Sequence, residues 1–367
     1  MNVLFVTTRN YLPQCVGGSE WSTHFLCRGL ESAGDKVGLL CHLQNSGWLA
    51  LENRLKRKLT GKKFPADRRM GYRVFRGWGS ANGLSEAVRD LAADAIVVIG
   101  AAPNPAQLAR AALKTGLPVL YQLRDVEFDK HGDGLGNLSG IRFISNSAFT
   151  ANKFQREFGK ASDIILPPVL ASHCKVERPG SKVLLINPAP PKGGEIAMAM
   201  AEQRPHIPFI FQESWASNSQ LNELKRRAKE AGNVEWRTQV MDIRTAYADA
   251  RILLAPSQWE EAWGRVATEA HISGIPVIAS DCGGLSQSVG PGGLLLRPDA
   301  PLEDWLKALD RLWDDKIEWQ RLSTCALEYS VRKETDPEHQ IASFRKIILD
   351  TIRQHAQRPN MTQVCDS

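Results

Sequence analysis

Two doubly wound α/β domains facing a shared cleft are the architecture this sequence predicts, and three observations carry the prediction. Short apolar runs alternate with helix-competent stretches from the start of the chain. The alternation fades into a stretch with linker composition and then begins again. In the second series, a strand, an acidic loop, a helix and a second buried strand follow one another within thirty residues.

The first series places strands at 3–6, 36–41, 95–99, 118–123 and 141–144, with helices between them at 20–32, 105–113 and 147–158. Runs of four to six apolar residues without polar alternation read as strands buried on both faces, which means β-α-β units and a parallel sheet. The pattern weakens after Leu166-Pro167-Pro168, and ERPGSK at 177–182 reads as a linker. Strands then return at 183–186, 208–211, 234–236, 252–255 and 277–279, with a helix at 193–202, and the chain ends in helices at 302–313, 317–329 and 337–355. The domain boundaries expected from this are 1–172 and 173–335, then a terminal helix over 336–357 and a flexible tail at 358–367. Ligands of such sheets bind beyond the carboxyl ends of the strands, here toward the shared cleft.

Composition sets the outer limits. A chain of 367 residues is too long for one comfortable core, and 43% hydrophobic with 23% charged residues is ordinary for a globular protein. The N-terminus lacks a basic leader region, and no apolar run approaches the ~18 residues of a membrane span. Seven scattered cysteines with no C-x-x-C pair argue against a disulfide framework or a zinc site and suit a reducing cytoplasm. No nucleic-acid partner is expected.

Charge is uneven: residues 1–172 hold 22 Lys+Arg against 14 Asp+Glu. Much of the excess lies at 52–69, with eight bases and two acids, where Trp48, Leu51, Leu55 and Leu59 share helical spacing. Two readings of residues 48–69 stay open. One is an amphipathic basic helix in peripheral contact with a membrane surface; the other is a solvated surface loop over a small apolar stripe.

The stretch 255–284, APSQWEEAWGRVATEAHISGIPVIASDCGG, carries the most chemistry. A strand ends at Pro256-Ser257, Glu261 stands at the loop mouth and Glu269 eight residues on, inside a helix. Such a unit aims backbone N–H groups and a helix N-terminus at an anion, while the carboxylates accept hydrogen bonds from polyol hydroxyls. A ligand bearing both phosphate and sugar suits it.

In these motifs the chain resembles the retaining glycosyltransferases of family 4, which have the GT-B fold of two Rossmann-like domains around a cleft. The resemblance runs through Gly17-Gly18-Ser19-Glu20 opening a helix, Gly34-Asp35-Lys36-Val37, N-P-A-P-P-K-G at 187–193, G-N-V-E-W at 232–236, Tyr247-Ala248-Asp249, Pro256-Ser257, the Glu261-x7-Glu269 pair, G-I-P-V-I at 274–278 and Gly283-Gly284. It implies an acceptor-binding N-terminal domain, a nucleotide-sugar-binding C-terminal domain, and a terminal helix that crosses back onto the first. It also implies a retaining enzyme that moves a sugar from a nucleoside diphosphate to a hydroxyl of a glycan, lipid-linked or small-molecule acceptor. Glu261 would hold donor-sugar hydroxyls and Glu269 the ribose. Lys192 and Arg265 would hold the diphosphate, with the amides of Gly17, Gly18, Gly264 and Val266; Asn187, Met241 and Trp263 complete the implied donor set. Fixed donors of this kind stabilise charge developing on a leaving phosphate.

No cofactor beyond the co-substrate and no metal are expected, since no Asp-x-Asp pair occurs. Taken singly, Gly17-Gly18 also reads as a tight turn, Lys192 as a solvated lysine, and Trp259 and Trp263 as packing residues at the strand–helix junction. Two positions depart from the family. Asn187 stands where an arginine on the diphosphate is common. Arg124-Asp125 stands near the usual donor-contacting histidine, either as a surface pair or as a site pair reading a charged sugar or orienting an acceptor hydroxyl. The alternatives are a GT-B epimerase or synthase, or a non-catalytic nucleotide- or glycan-binding relative.

Overall fold

The computed structural model describes residues 1–101, 103–214 and 218–357, and the tail expected at 358–367 lies outside the described residues. Two sheets organise it. The first contains β1 (Asn2–Asn10), β2 (Lys36–His42), β3 (Ala66–Asp67), β4 (Arg73–Gly77), β5 (Ala95–Gly100), β6 (Val119–Leu123), β7 (Ile141–Ser145) and β8 (Asp163–Ile164), in the order β3-β4-β2-β1-β5-β6-β7-β8. All its pairings are parallel except β3 with β4. The second contains β9 (Lys182–Ile186), β10 (Phe209–Gln212), β11 (Val234–Arg237), β12 (Ala250–Ala255), β13 (Val277–Ser280) and β14 (Gly293–Leu296), all parallel, in the order β11-β10-β9-β12-β13-β14.

Both sheets are covered on two faces, which is why their strands read as continuous apolar runs. In β1, Leu4 and Val6 enter one core while Val3 and Phe5 enter the other. In β9, Val183 and Leu185 face one core and Leu184 the opposite one. The strand order reverses between β1 and β5 and again between β9 and β12. Those switch points open crevices at the carboxyl ends of the strands, where ligands of doubly wound sheets bind.

The helix Pro337–Ala356 lies against the first sheet although it follows the second. Phe344, Ile347 and Ile348 join the core of Val3 and Phe5, with the Phe5 and Phe344 rings 6.0 Å apart. Arg345 Nε lies 2.7 Å from the buried Asp35 carboxylate.

Several elements carry no clear mark in the sequence. β4 has the sequence RVFRG, and its Arg76 is fully buried because Asp67 of β3 meets it at 2.7 Å. The helix Asn218–Ala231 is mostly polar, and β14 is short. The basic segment is not a loop over a covered stripe: it opens with the helix Trp48–Thr60, whose leucine stripe faces outward.

Candidate active site

The loops after β9 and β12 meet first, and a glycine makes the meeting close. Gly193 has φ +78, and a Cβ there would lie 2.0 Å from the Pro256 carbonyl oxygen. Only glycine permits that approach. It brings Lys192 Nζ to 2.5 Å from Glu261 Oε1. The same oxygen accepts from Ser257 Oγ at 2.7 Å and Trp259 Nε1 at 3.2 Å, and the ammonium lies 5.1 Å from the centre of the Trp259 ring. Burial works to raise the Glu261 pKa, but the Lys192 charge and these hydrogen bonds outweigh it and hold the carboxyl below its ordinary value. The backbone of Glu261 is pinned as well. Gly284 N donates to its carbonyl at 2.6 Å, and Gly283, at φ +64, leaves no room for a Cβ against that oxygen.

Glu269 sits one layer deeper, on the seven-residue helix Arg265–His271 capped by left-handed Gly264. Arg265 Nε donates to Glu269 Oε1 at 2.5 Å, and Tyr247 Oη donates to Oε2 at 2.8 Å. The Arg265 guanidinium also crosses to the other sheet's side: Nη1 donates to Ser22 Oγ at 2.7 Å and to the Pro168 carbonyl at 2.9 Å. Its Nη2 is buried without a hydrogen-bond partner among the described residues.

From the first sheet, the turn after β6 supplies Arg124 and Asp125. Arg124 Nη2 donates to Thr23 Oγ1 at 3.2 Å, and its Nε is buried without a partner among the described residues. Burial, helped by the nearby Arg265 charge, pushes its pKa down to about 10. Asp125 Oδ1 contacts His131 Nε2, and His131 Nδ1 lies 2.8 Å from Tyr121 Oη, so a fully buried imidazole stands behind the carboxylate.

These groups line one cavity between the sheets, which Gly18, Arg124, Asp125, Asn146, Asn187, Lys192, Glu261 and Arg265 share with Trp263, Gly264 and Val266. Asn187 has φ +63, and both its side-chain polar atoms are buried without partners among the described residues. A carboxamide held there is suited to a polar ligand. A second cavity opens from the first across Gly18, Ile186, Ser214, Arg265 and Val266, and Gly17, Trp21, His173, Gln239, Val240 and Glu269 line it. The Trp21 and His173 rings lie with centroids 4.0 Å apart, tilted by 46°, and burial lowers the His173 pKa.

The structure thus brings together every sequence-derived site residue but one. Met241 is exposed and lines neither cavity; Gln239 and Val240 do, and the chain then turns away into the helix Arg244–Tyr247. Trp263 is buried, its Nε1 donating to Thr268 Oγ1 at 3.0 Å, so it mainly packs the junction. Glu260, beside Glu261, faces solvent and its carboxylate meets Lys153 Nζ at 2.5 Å across the cleft. Ser257, named in the sequence only as part of the Pro256-Ser257 motif, joins the site through Glu261, whereas nothing in the sequence marks Ser22, Asn146 or the His131–Tyr121 pair.

Residues 213–315 match the family described as Glycosyl transferases group 1. Over nearly its whole length the chain superimposes on a glycosyltransferase from Rickettsia africae ESF-5 (TM-score 0.72, 14% identity, 98% of this chain and 100% of that one). It superimposes equally well on Anabaena HepE in complex with UDP and glucose (TM-score 0.73, 18% identity, 95% and 99%). The chain has the GT-B fold, and its segment 213–315 is similar to the group 1 glycosyltransferases. Sequence identity is higher but local: a D-inositol 3-phosphate glycosyltransferase of Nocardia farcinica is 40% identical over 86 residues, which span 23% of this chain and 19% of that protein. The cavities described above are therefore the cleft of a GT-B protein, with the matched segment forming the Glu261–Glu269 wall.

Proposed function

We propose that this GT-B protein is a retaining glycosyltransferase that moves a sugar from a nucleoside diphosphate sugar to a hydroxyl acceptor. The observation that carries the reading is the pair of joined cavities. The smaller, flanked by Trp21 and His173 with Glu269 at its floor, has the character of a nucleoside site. The larger holds Lys192, Asn187 and Glu261 opposite Arg124 and Asp125, as a sugar diphosphate and an incoming hydroxyl would require.

On this reading Lys192 leaves Glu261 for the diphosphate when the donor arrives, and the unpartnered Nη2 of Arg265 turns to the same anion. Both oppose the negative charge that grows on the leaving phosphate as the anomeric bond breaks. Glu261 and Asn187 hold sugar hydroxyls, and Glu261 adds a fixed negative charge near the developing positive charge on the ring. Glu269, oriented by Arg265 and Tyr247, accepts from ribose hydroxyls. Attack from the face of the departing phosphate retains configuration and needs no enzymic nucleophile. The acceptor lies on the side of Arg124 and Asp125, and its class is a glycan, a lipid-linked sugar or a small metabolite. A reducing, cytoplasmic setting suits the free thiols at Cys15, Cys27, Cys41, Cys174, Cys282 and Cys325.

A thermal-shift panel of UDP, GDP, TDP, ADP and CMP with their sugars tests the donor half. The HepE complexes make UDP-glucose the first member to try. At a hundred times its Kd the right ligand stabilises the folded state by about 2.7 kcal/mol. No shift with any member overturns the reading.

A further inference from the structure

The helix Trp48–Thr60 is turned inside out relative to an ordinary surface helix. Its core side is small: Leu49, Ala50 and Asn53 are buried, and Asn53 Nδ2 donates to the Arg76 carbonyl at 2.9 Å. On the opposite side Trp48, Leu51, Leu55 and Leu59 form one continuous stripe, 55%, 65%, 58% and 76% exposed. Among the described residues they are four of the ten large hydrophobics left exposed, gathered on one face of one helix. A stripe of that width normally seeks a partner.

The charges around the stripe say which partner. Both acids of the segment are neutralised: Glu52 by Lys56 at 2.8 Å and Arg69 at 2.6 Å, and Asp67 by Arg76 of β4 at 2.7 Å. Arg54, Arg57, Lys58, Lys63 and Arg68 have no carboxylate within ion-pair distance among the described residues. By helical position Arg54 and Lys58 flank one edge of the stripe and Lys56 the other. Beyond Lys56 a shallow basic hollow is lined by Arg68, Arg69 and Arg73, and Arg69 stacks on the Trp48 ring at 4.3 Å. Apolar residues in the middle, cations on both flanks and a tryptophan at the end suit a helix lying in the plane of an anionic bilayer surface. The hydrophobic stripe would reach past the headgroups while the flanking bases contact lipid phosphates.

We propose that the face built on Trp48–Thr60 docks this protein on membranes rich in anionic phospholipid. The helix starts six residues after the last residue of β2, on the cleft side of the first sheet. Docking there holds the cleft near the bilayer, where a lipid-linked hydroxyl would be within reach. The docking itself does not rest on the transferase reading, and its test needs no catalysis.

The test is co-sedimentation of the full chain with vesicles of phosphatidylcholine alone or with phosphatidylglycerol added, at low and high salt. The wild type is expected to pellet with the anionic vesicles and to release in high salt. Leu51→Ser/Leu55→Ser/Leu59→Ser removes only exposed apolar surface and should cut binding by about tenfold or more, while Lys58→Glu/Arg68→Glu should cut the anionic component by about tenfold. Equal donor-induced thermal shifts in wild type and variants would show that the fold and the donor cleft are intact. Absence of binding to either vesicle overturns the proposal. So does self-association of the wild type in free solution that the serine variant abolishes, which would assign the stripe to a second copy of the chain.

Discussion

Lys192 Nζ and Glu261 Oε1 stand 2.5 Å apart, and among the described residues no other cation pairs with that carboxylate. The pair stores a choice: the lysine can serve the carboxylate or a diphosphate, and removing it leaves Glu261 buried and unpaired. Lys192→Ala should therefore lower kcat by roughly 10²–10³, the usual loss when one charge-stabilising donor is deleted. It should also raise the pH at which Glu261 protonates. In the wild type the Glu261 pKa lies below its ordinary ~4.3, so its contribution to stability is present above that value and lost as pH falls through the lower folded one. In the variant that loss begins at higher pH, which urea titrations across pH 3–6 would show (~0.5 unit steps suffice).

Asp125 and the buried His131–Tyr121 pair behind it predict a split between two activities. If the carboxylate orients an acceptor hydroxyl, Asp125→Asn should slow transfer by about 10²-fold, within the range for acid–base groups, and leave slow donor hydrolysis by water nearly unchanged. Equal losses in both reactions would place Asp125 on the donor instead.

Arg124 is held half-buried beside Arg265, at a cost that shows in its lowered pKa. A cation kept there against burial is best explained by an anionic or hydroxyl-rich ligand. Arg124→Ala is expected to reduce kcat/KM by about tenfold to a hundredfold, with Arg124→Lys recovering little, because a point charge does not replace a planar fork. Unchanged kcat and KM in the alanine variant would return Arg124 to a structural role.

The strand-helix alternation was legible because both sheets bury both faces, so each strand is an unbroken apolar run. β4 escaped for the opposite reason: its Arg76 is paired with Asp67 inside the fold, and a buried ion pair looks polar in one dimension. The Glu261–Glu269 wall was legible because Glu261, Glu269, Lys192 and their glycines lie in two short segments. The facing wall from the first sheet was not, because Ser22, Asn146, His131 and Tyr121 come from separate elements and meet only in three dimensions. The stripe at 48–59 was visible as spacing, while its outward direction depends on how little of that helix the first sheet covers.

Gly193 gives a stability prediction that is also a test of the site. Its left-handed φ and the 2.0 Å approach of a would-be Cβ to the Pro256 carbonyl leave no room for alanine. Gly193→Ala should lower stability by about 2–4 kcal/mol, a loss of several degrees in Tm. The donor-induced thermal shift should fall further than stability alone explains, because Lys192 is the next residue.

His271 makes the fold itself sensitive to acid. It is 1% exposed, its Nε2 lacks a partner among the described residues, and burial, with the Arg332 charge adding to it, lowers its pKa to about 4. The unfolded chain, at ~6.5, binds the proton first, so this group's contribution is complete above that pH and declines as pH falls from about 6.5 to about 4. The expected loss by pH 4 is on the order of 3 kcal/mol. Because Gly292 packs against Nε2, with room for no Cβ at 2.7 Å, the ring cannot swing out to reach water without opening the turn before β14. His271→Gln should lower stability at pH 7 yet flatten this part of the pH profile, measured by chemical denaturation at half-unit steps. A slope as steep as that of the wild type would move the acid sensitivity to another group, of which His24, with its pKa also lowered to about 4 by burial, is the next to replace.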